Sequence, residues 1–131
     1  MTVSTPLTVR SYELDAYGHV NNATYLNYLE YARLEFLINS GFPYEEYRAL
    51  GYGLVVSRIE IRYRRPAFLG DELEIMTASV SRGKMKGSLE QKILRGEETV
   101  VEATVDYATV DASGRPAPIP AELRGRWPLE A

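Results

Sequence analysis

The sequence predicts one α+β domain in which an antiparallel sheet of five strands wraps around a single long helix. The helix is indicated by the composition and apolar spacing of the segment from Ala23 to Asn39. One strand-like segment precedes it and four follow it, and strands that are joined by tight turns pair antiparallel. The length of 131 residues suits one domain, which we expect to span residues 1–131.

The first half of the chain contributes one strand and the helix. Apolar and polar residues alternate from Leu7 to Leu14, which predicts the first strand. The helix is expected to begin at about Asn22, because Asn is a favoured N-cap. Gly41 predicts its end, and the following segment is expected to be a loop with a short helical turn near residues 45–50. The buried face combines positions three and four apart, with Tyr28 beside them: Tyr25, Leu29, Ala32 and Phe36.

The second half shows the two-residue period of half-buried strands. The first of these follows Gly53, with Ile59, Ile61 and Tyr63 on its buried face. The next three are expected at residues 72–80, 85–95 and 99–110, and their inward faces are expected to include Ile75, Ile93 and Val105. The tail from Arg115 is rich in proline and is expected to be irregular. A single helix leaves part of the sheet uncovered, so we expect a homodimer or a homotetramer to protect the exposed face and edges.

Composition and charge exclude several classes of protein. A net charge of −3 argues against a nucleic-acid binder, and no apolar run approaches the length of a membrane span. The first residues lack the features of a signal peptide, which favours a cytoplasmic protein. With no cysteine and one histidine, a transition-metal site would have to consist almost entirely of carboxylates. We therefore expect no metal and no cofactor.

The stretch from Asp15 to Tyr25 is the candidate reactive centre. It places a carboxylate, a flexible Gly18 and the only histidine, His19, just before the predicted helix. A helix N-terminus carries unsatisfied N–H groups and positive dipole charge. Those donors can hold a polarised carbonyl while Asp15 attacks it or activates water, which indicates a hydrolytic site.

The chain resembles the hotdog-fold acyl-CoA thioesterases, and in particular the 4-hydroxybenzoyl-CoA thioesterase-like branch that includes bacterial long-chain acyl-CoA thioesterases. The resemblance spans nearly the whole chain. Its motifs occur in the expected order: Asp15-x-x-Gly18-His19-Val20-Asn21-Asn22-x-x-Tyr25, Glu30-Tyr31-Ala32-Arg33, Arg62-Tyr63-x-x-Pro66-Ala67-x-x-Gly70-Asp71, and Val110-Asp111-x-x-Gly114-Arg115-x-x-x-Ile119-Pro120.

The resemblance implies the hotdog fold, dimers whose sheets join, and an active site at the subunit interface. It implies that Asp15 is the catalytic carboxylate, as nucleophile or general base, and that the backbone N–H of Asn22 polarises the thioester carbonyl. It also implies that basic residues such as Lys84 and Lys86 approach the nucleotide end of coenzyme A. The Gly-His-Val-Asn-Asn form is usual in fatty acyl thioesterases and argues against an aromatic substrate.

Each of these residues also has a simpler interpretation. Asp15 is of a type common in turns, and His19 could fix the loop, orient Asp15 or contact substrate. Tyr25 is most simply a core residue, although its hydroxyl could reach a pocket. The arginines near Arg58 lie on the polar face of a strand, and we retain Arg58 as a candidate substrate contact.

The sequence leaves open which carrier holds the acyl group. An acyl-carrier-protein thioesterase is the main alternative to an acyl-CoA thioesterase, although a net charge of −3 mildly disfavours an acidic protein partner. A hotdog dehydratase is disfavoured because the single histidine lies in the thioesterase motif. A non-catalytic acyl-binding module is disfavoured by the intact motif around Asp15.

Overall fold

The computed structural model describes residues 1–126 and shows one antiparallel sheet that packs on one long helix. The α+β fold class is therefore confirmed. The elements in chain order are β1 (Thr2–Thr8), a 3₁₀ turn (Ser11–Glu13), α1 (Thr24–Asn39), α2 (Tyr44–Ala49), β2 (Gly53–Tyr63), β3 (Glu72–Arg82), β4 (Lys86–Arg95), β5 (Glu98–Val110) and α3 (Ala121–Arg124).

The strands lie in the order β1-β3-β4-β5-β2, and all four pairings are antiparallel. The expected pairing of consecutive strands holds for β3, β4 and β5 but not for β2 and β3. The chain leaves the sheet after Tyr63 and re-enters it at Glu72, so β2 pairs with β5 at the opposite edge. Residues 64–71, which connect the two strands, lie against the end of the loop around Asp15.

The first strand lies earlier than predicted. β1 spans Thr2–Thr8, and the chain then turns through Ser11–Glu13, so only Leu7 and Thr8 of the predicted strand belong to β1. Pro6 is tolerated in β1 because β1 is an edge strand, which leaves one side of its backbone unpaired. Glu13 ends the strand-like pattern because its side chain accepts a hydrogen bond from the Arg10 N–H and stabilises the turn.

Helix α1 confirms the predicted segment and its buried face. It begins at Thr24, two residues after the expected start, because Asn21 rather than Asn22 makes the turn that leads into it. Gly41 has a φ of +83° just after the helix, in agreement with its expected role at the C-terminus. The predicted face is fully or almost fully buried: Tyr25, Tyr28, Leu29, Ala32 and Phe36.

The core consists of two groups of buried residues, one beneath each half of α1. The first half of the helix packs with residues of β3, β4 and β5 and with Val20 and Ala67 from the two loops beside it. The second half packs with Tyr47 of α2 and with residues of β4 and β5. The inward faces predicted for β3, β4 and β5 are confirmed, because Ile75, Ile93 and Val105 are fully buried.

The tail is more regular than predicted. Residues 121–124 form α3, and Ile119 and Leu123 are buried against the second core group. Because both side chains pack into the core, this contact stabilises a short helix that the local sequence, with its prolines, does not favour. Residues 127–131, which the prediction of an irregular tail included, lie outside the described residues. Within residues 1–126, no helix is long and apolar enough to cross a membrane.

Candidate active site

The loop from Asp15 to His19 is held in one conformation by its own hydrogen bonds. The Asp15 N–H donates to the His19 carbonyl at 2.8 Å, and the Gly18 N–H donates to the Asp15 carbonyl at 3.1 Å. Asp15 Oδ1 accepts the Tyr17 N–H at 2.9 Å and the His19 N–H at 3.4 Å. Gly18 closes the turn with a φ of +86°, a conformation that favours glycine. The Asp15 carboxylate is thus oriented by backbone donors.

His19 lies against the other oxygen of the same carboxylate. Its Nδ1 is 3.1 Å from Asp15 Oδ2, and the exposed fractions of the two side chains are 38% for His19 and 24% for Asp15. The imidazole also contacts aromatic rings on both sides, with centroid distances of 6.0 Å to Tyr17 and 6.3 Å to Phe68. The side chain of His19 therefore contacts the Asp15 carboxylate, on the oxygen that the backbone donors leave free.

The turn into α1 places Asn22 beside this carboxylate. Asn21 Oδ1 accepts the Ala23 N–H, and the Asn21 carbonyl accepts the Thr24 N–H, each at 2.9 Å. The Tyr63 hydroxyl donates to the Asn22 carbonyl at 2.9 Å. Within residues 1–126, no hydrogen bond from the Asn22 N–H is found. This N–H is therefore free to donate to a ligand at the positive end of α1.

Four of the predicted site residues share one pocket of about 270 Å³. Asp15, His19, Asn22 and Tyr25 all line it, together with residues that follow β2. Tyr25 is almost fully buried, and its hydroxyl accepts the Ala67 N–H at 3.1 Å. Burial raises the pKa of Tyr25, so its hydroxyl stays neutral. The pocket thus combines a fixed carboxylate, an imidazole, a free backbone donor and a phenol.

The link between β2 and β3 supports the candidate site from outside. His19 and Phe68 form a backbone bridge, and the Val20 N–H donates to the Ala67 carbonyl at 2.9 Å. Arg95 Nη1 donates to the Pro66 carbonyl at 3.0 Å and to Asp71 Oδ2 at 2.7 Å, which ties both ends of this link to β4. The hydrogen bond from the Phe68 N–H lowers the pKa of Asp71, and Arg95 adds to that effect.

Three predicted substrate contacts lie away from this pocket in the single chain. Arg58 is exposed on β2, with its guanidinium 3.0 Å from Glu60 and 3.9 Å from Asp106. Lys84 and Lys86 lie at the β3–β4 hairpin, which is at the other end of the sheet from Asp15. The strand β4 between these ends has ten residues, or about 30 Å at roughly 3.3 Å per residue.

Two residues that support the candidate site were missed by the sequence analysis. Tyr63 was assigned to the buried face of β2, yet 46% of it is exposed and its hydroxyl contacts Asn22. Glu13 was assigned to an alternating strand, yet its carboxylate is buried next to the Asp15 loop. Only the closeness of Glu13 to Asp15 in the sequence could have indicated that its side chain supports the loop. No sequence signal distinguished Tyr63 from a core residue.

A longer groove runs along α1. Its volume is about 420 Å³, and it extends from Asn27 in the first turn of the helix to Leu37 near its end. The opposite wall comes from β2, β4 and β5. Most lining residues are apolar, including Leu34, Leu54 and Val105. Among residues 1–126, no cluster of three or more His, Cys, Asp or Glu side chains could hold a metal ion.

Comparison with known proteins identifies the family. The model of the thioesterase-like superfamily matches residues 9–126. The long-chain acyl-CoA thioesterase FadM of Escherichia coli is 38% identical over 125 residues, which are 93% of this chain and 94% of that protein. A chloroplastic acyl-acyl carrier protein thioesterase of Arabidopsis thaliana, ATL3, is 31% identical over 92% of this chain and 65% of its own length.

The fold is likewise shared with a solved structure. The crystal structure of YbaW, a probable thioesterase from Escherichia coli, superposes with a TM-score of 0.82 at 36% identity. The match covers 94% of each chain. The predicted hotdog fold is thereby confirmed.

Proposed function

The chain belongs to the thioesterase-like superfamily and is a thioester hydrolase, and from this premise we propose that it hydrolyses fatty acyl-CoA to a free acid and coenzyme A. The observation that carries the proposal is the pocket that Asp15 shares with Asn22 at the start of α1. A carboxylate and a free N–H donor on opposite sides of a bound thioester are the two groups that hydrolysis of its carbonyl requires.

In the proposed reaction, the thioester carbonyl oxygen accepts a hydrogen bond from the Asn22 N–H. In one route, Asp15 attacks the carbonyl carbon, the C–S bond breaks, the thiolate leaves, and water then hydrolyses the resulting anhydride. In the other, Asp15 accepts a proton from water while the water oxygen attacks, and the thiolate leaves with a proton. The two routes use the same residues, and both require an ionised Asp15 carboxylate.

The other pocket residues would position the substrate and the carboxylate. His19 would hold Asp15 through the contact between Nδ1 and Oδ2. Gly18, which does not itself line the pocket, would let the loop turn at a positive φ between Asp15 and His19. Tyr25 would form the floor through its buried ring.

The groove along α1 supports the choice of a fatty acyl group. Ten residues separate Asn27 from Leu37, which corresponds to about 15 Å of helix at 1.5 Å per residue. An extended apolar chain suits a groove of this length and lining better than a compact ring does. The similarity to FadM, a long-chain acyl-CoA thioesterase, agrees with this choice.

We further propose that two copies join along β2. This strand lies at an edge of the sheet, and Val55 and Val56 are 49% and 40% exposed there. Unpaired edges and exposed apolar residues are typical of places where strands associate. Antiparallel pairing of β2 with β2 of a second copy is the arrangement that a two-fold axis between the copies produces. Light scattering is expected to show a dimer or a tetramer, and a stable monomer at working concentration would contradict the proposal.

This pairing would bring the hairpin of a second copy to the Asp15 end of the first. In an antiparallel pair, the Gly53 end of one β2 lies beside the Tyr63 end of the other. The start of β4 in the second copy, which carries Lys86, would then lie three strand spacings from β2 of the first copy, or roughly 15 Å. Lys84 and Lys86 could there contact the phosphates of coenzyme A, and Arg58 on β2 would lie near the same junction.

We expect Lys84→Ala with Lys86→Ala to raise KM for acyl-CoA about threefold to tenfold and to leave kcat unchanged, because point charges on phosphates contribute uniform binding. A thioester of pantetheine, which lacks the nucleotide, should show no change. Lys92→Ala serves as the control, because Lys92 is an exposed cation within β4, away from the β3–β4 hairpin and from the β2 edge. Equal losses on both substrates would contradict this assignment.

The decisive experiment is a hydrolysis screen over acyl chain length, with aromatic thioesters included and each acyl group offered on coenzyme A and on acyl carrier protein. Fatty acyl-CoA should be preferred. A preference for acyl carrier protein would favour the alternative suggested by the similarity to ATL3. Tight acyl-CoA binding without turnover would contradict the enzymatic proposal.

A further inference from the structure

Glu13 is a buried carboxylate that the proposed reaction does not use. Only 7% of its side chain is exposed, and it lies in the 3₁₀ turn two residues before Asp15. Its Oε1 accepts the Tyr28 hydroxyl and the Arg10 N–H, each at 2.8 Å. Its Oε2 forms an ion pair with the Arg10 guanidinium. One side chain thus connects the turn after β1 to the second turn of α1.

The backbone of Glu13 reaches the far end of the Asp15 loop. Its carbonyl accepts the Asn21 N–H at 2.9 Å, and Leu14 and Val20 form a backbone bridge next to this bond. Asn21 in turn directs the chain into α1 and immediately precedes Asn22. Glu13 therefore contacts the structure on both sides of the loop that carries the candidate carboxylate.

The negative charge of the buried Glu13 carboxylate is stabilised by its hydrogen-bond donors. Burial alone would raise its pKa, but hydrogen bonds from the Arg10 side chain, the Arg10 backbone and Tyr28 outweigh that effect and lower the pKa. Glu13 is therefore ionised at neutral pH. A buried ionised carboxylate that loses a partner is costly, so these contacts hold a single arrangement.

We propose that Glu13 is a positioning residue that fixes the Asp15 carboxylate relative to the Asn22 N–H by anchoring the loop between them to Tyr28 on α1. The proposal rests on the proposed function. Its physical basis is that a displacement of about 1 Å between reacting groups can lower a rate on the order of a hundredfold.

The chain offers a matched control for this role. Tyr28 and Tyr47 are both fully buried, and both donate a hydroxyl hydrogen bond. Tyr28 donates to Glu13 at 2.8 Å, whereas Tyr47 donates to the Gly53 carbonyl at 2.9 Å in the second core group. Replacing either with phenylalanine removes the hydroxyl donor of that hydrogen bond without leaving a large cavity. Only the change at Tyr28 affects the anchor of the Asp15 loop.

The experiment measures kcat, KM and Tm for acyl-CoA hydrolysis by Tyr28→Phe and Tyr47→Phe. Tyr28→Phe should lower kcat about fivefold to twentyfold with KM within about twofold of the wild type, because positioning acts on the chemical step. Tyr47→Phe should lower Tm but leave kcat within about twofold. If both variants lose Tm and neither loses kcat, Glu13 only stabilises the fold and the proposal is overturned.

A second pair of variants tests Glu13 itself. Glu13→Gln can keep the Oε1 acceptor for Tyr28 and for the Arg10 N–H. It loses the Oε2 acceptor and the ion pair of the Arg10 guanidinium, which is half-exposed and can turn to solvent. We therefore expect Glu13→Gln to retain kcat within about threefold and Glu13→Ala to lose more than about tenfold. Equal kcat in Glu13→Ala and the wild type would overturn the proposal. If Glu13→Ala does not fold, the comparison of Tyr28→Phe with Tyr47→Phe still decides.

The outcome also separates this inference from the proposed function. A wild-type protein that hydrolyses no thioester would contradict the proposed function itself. A wild-type protein that is active while Tyr28→Phe and Glu13→Ala keep full kcat would contradict only the positioning role of Glu13.

Discussion

Two loops of this protein have the same local structure, and only one of them has the surroundings of a reactive site. The loops begin at Asp15 and Asp111 and end at His19 and Arg115. In both, the Asp N–H donates to the carbonyl four residues later, at 2.8 and 2.9 Å. In both, Asp Oδ1 accepts the N–H groups two and four residues later. The glycines at the fourth position have φ values of +86° and +82°.

The surroundings of the two carboxylates differ. Asp15 Oδ2 faces His19, and the residue lines a pocket with the free N–H of Asn22. Asp111 Oδ1 also accepts the Ser113 hydroxyl, and its loop ends beside the exposed Arg115. The turn therefore explains why an Asp and a Gly occur at this spacing but not why one carboxylate would be reactive. Asp15 differs from Asp111 in having the His19 imidazole and the N–H donor at the start of α1 beside it.

The largest expected effect distinguishes the two aspartates directly. Asp15→Asn should lower kcat on the order of a hundred- to ten-thousand-fold, because a neutral amide can neither attack a carbonyl nor accept a proton from water. Asp111→Asn should leave kcat within about twofold. Steady-state hydrolysis of one acyl-CoA by both variants is the measurement.

Binding provides the control for the Asp15 variant. The Asn22 N–H and the groove along α1 do not depend on the charge of Asp15, so calorimetry should show acyl-CoA affinity close to that of the wild type. If Asp15→Asn keeps more than about a tenth of the rate, less than about 1.4 kcal/mol of the barrier comes from this residue. The catalytic carboxylate would then have to be sought elsewhere, with Glu30 or Glu35 on α1 as the next candidates.

The two glycines test whether the loop conformation itself matters for the rate. Gly18→Ala and Gly114→Ala would each place a Cβ on a residue with positive φ, and neither Cβ would meet an atom within 4 Å. Both variants should therefore lose about 1–2 kcal/mol of unfolding free energy from backbone strain alone. Only Gly18→Ala should also lose about tenfold in kcat, because the strain moves the Asp15 carboxylate. Chemical denaturation and steady-state hydrolysis should be measured on both variants. Equal losses of unfolding free energy with a loss of kcat in Gly18→Ala alone would confirm the prediction, and equal kcat in both would contradict it.

The sequence predicted the elements of this fold better than their arrangement. The long helix and the four strands after Gly53 followed from periodicity, because their apolar residues repeat at the spacing of a helix or a strand. The early position of β1 was missed, because an edge strand accepts Pro6 and the alternation after it belongs to a turn. The position of β2 beside β5 was missed as well, because the pairing of distant strands depends on the path of the chain between them.

The candidate site was predicted where its residues are close in sequence. Asp15, His19 and Asn22 lie within eight residues of one another, and the structure brings them to one pocket with Tyr25. Tyr63 was not predicted, because its contact with Asn22 spans 41 residues. The sequence also could not distinguish Asp15 from Asp111 by loop geometry, since both stand in the pattern Asp-Ala-x-Gly. The histidine and the asparagines after Gly18 made that distinction.

The imidazole gives a smaller effect than the carboxylate. His19→Gln should lower kcat about threefold to tenfold with little change in KM, because a group that orients the carboxylate acts on the chemical step while the backbone bonds to Asp15 Oδ1 persist. Arg115→Gln, at the matching position of the other loop, should leave both constants unchanged. A loss as large as that of Asp15→Asn would show that His19 takes a direct part in the reaction.

The smallest expected effect concerns acid stability at the other loop. The hydrogen bond from the Ser113 hydroxyl, with those from the Arg115 and Ser113 backbones, lowers the pKa of Asp111 below its usual value. Because the folded-state pKa is lowered, this carboxylate stabilises the fold above the unfolded-state pKa of about 3.9, and the contribution is lost as pH falls through the folded-state pKa. Thermal unfolding from pH 6 to pH 3 should therefore lose slightly less stability in Asp111→Asn than in the wild type. The hydrolysis rate of that variant at pH 7 should stay unchanged, since the loop lies outside the pocket of Asp15. An identical pH dependence in both proteins would show that the hydrogen bonds of this turn do not distinguish the charged from the neutral carboxyl.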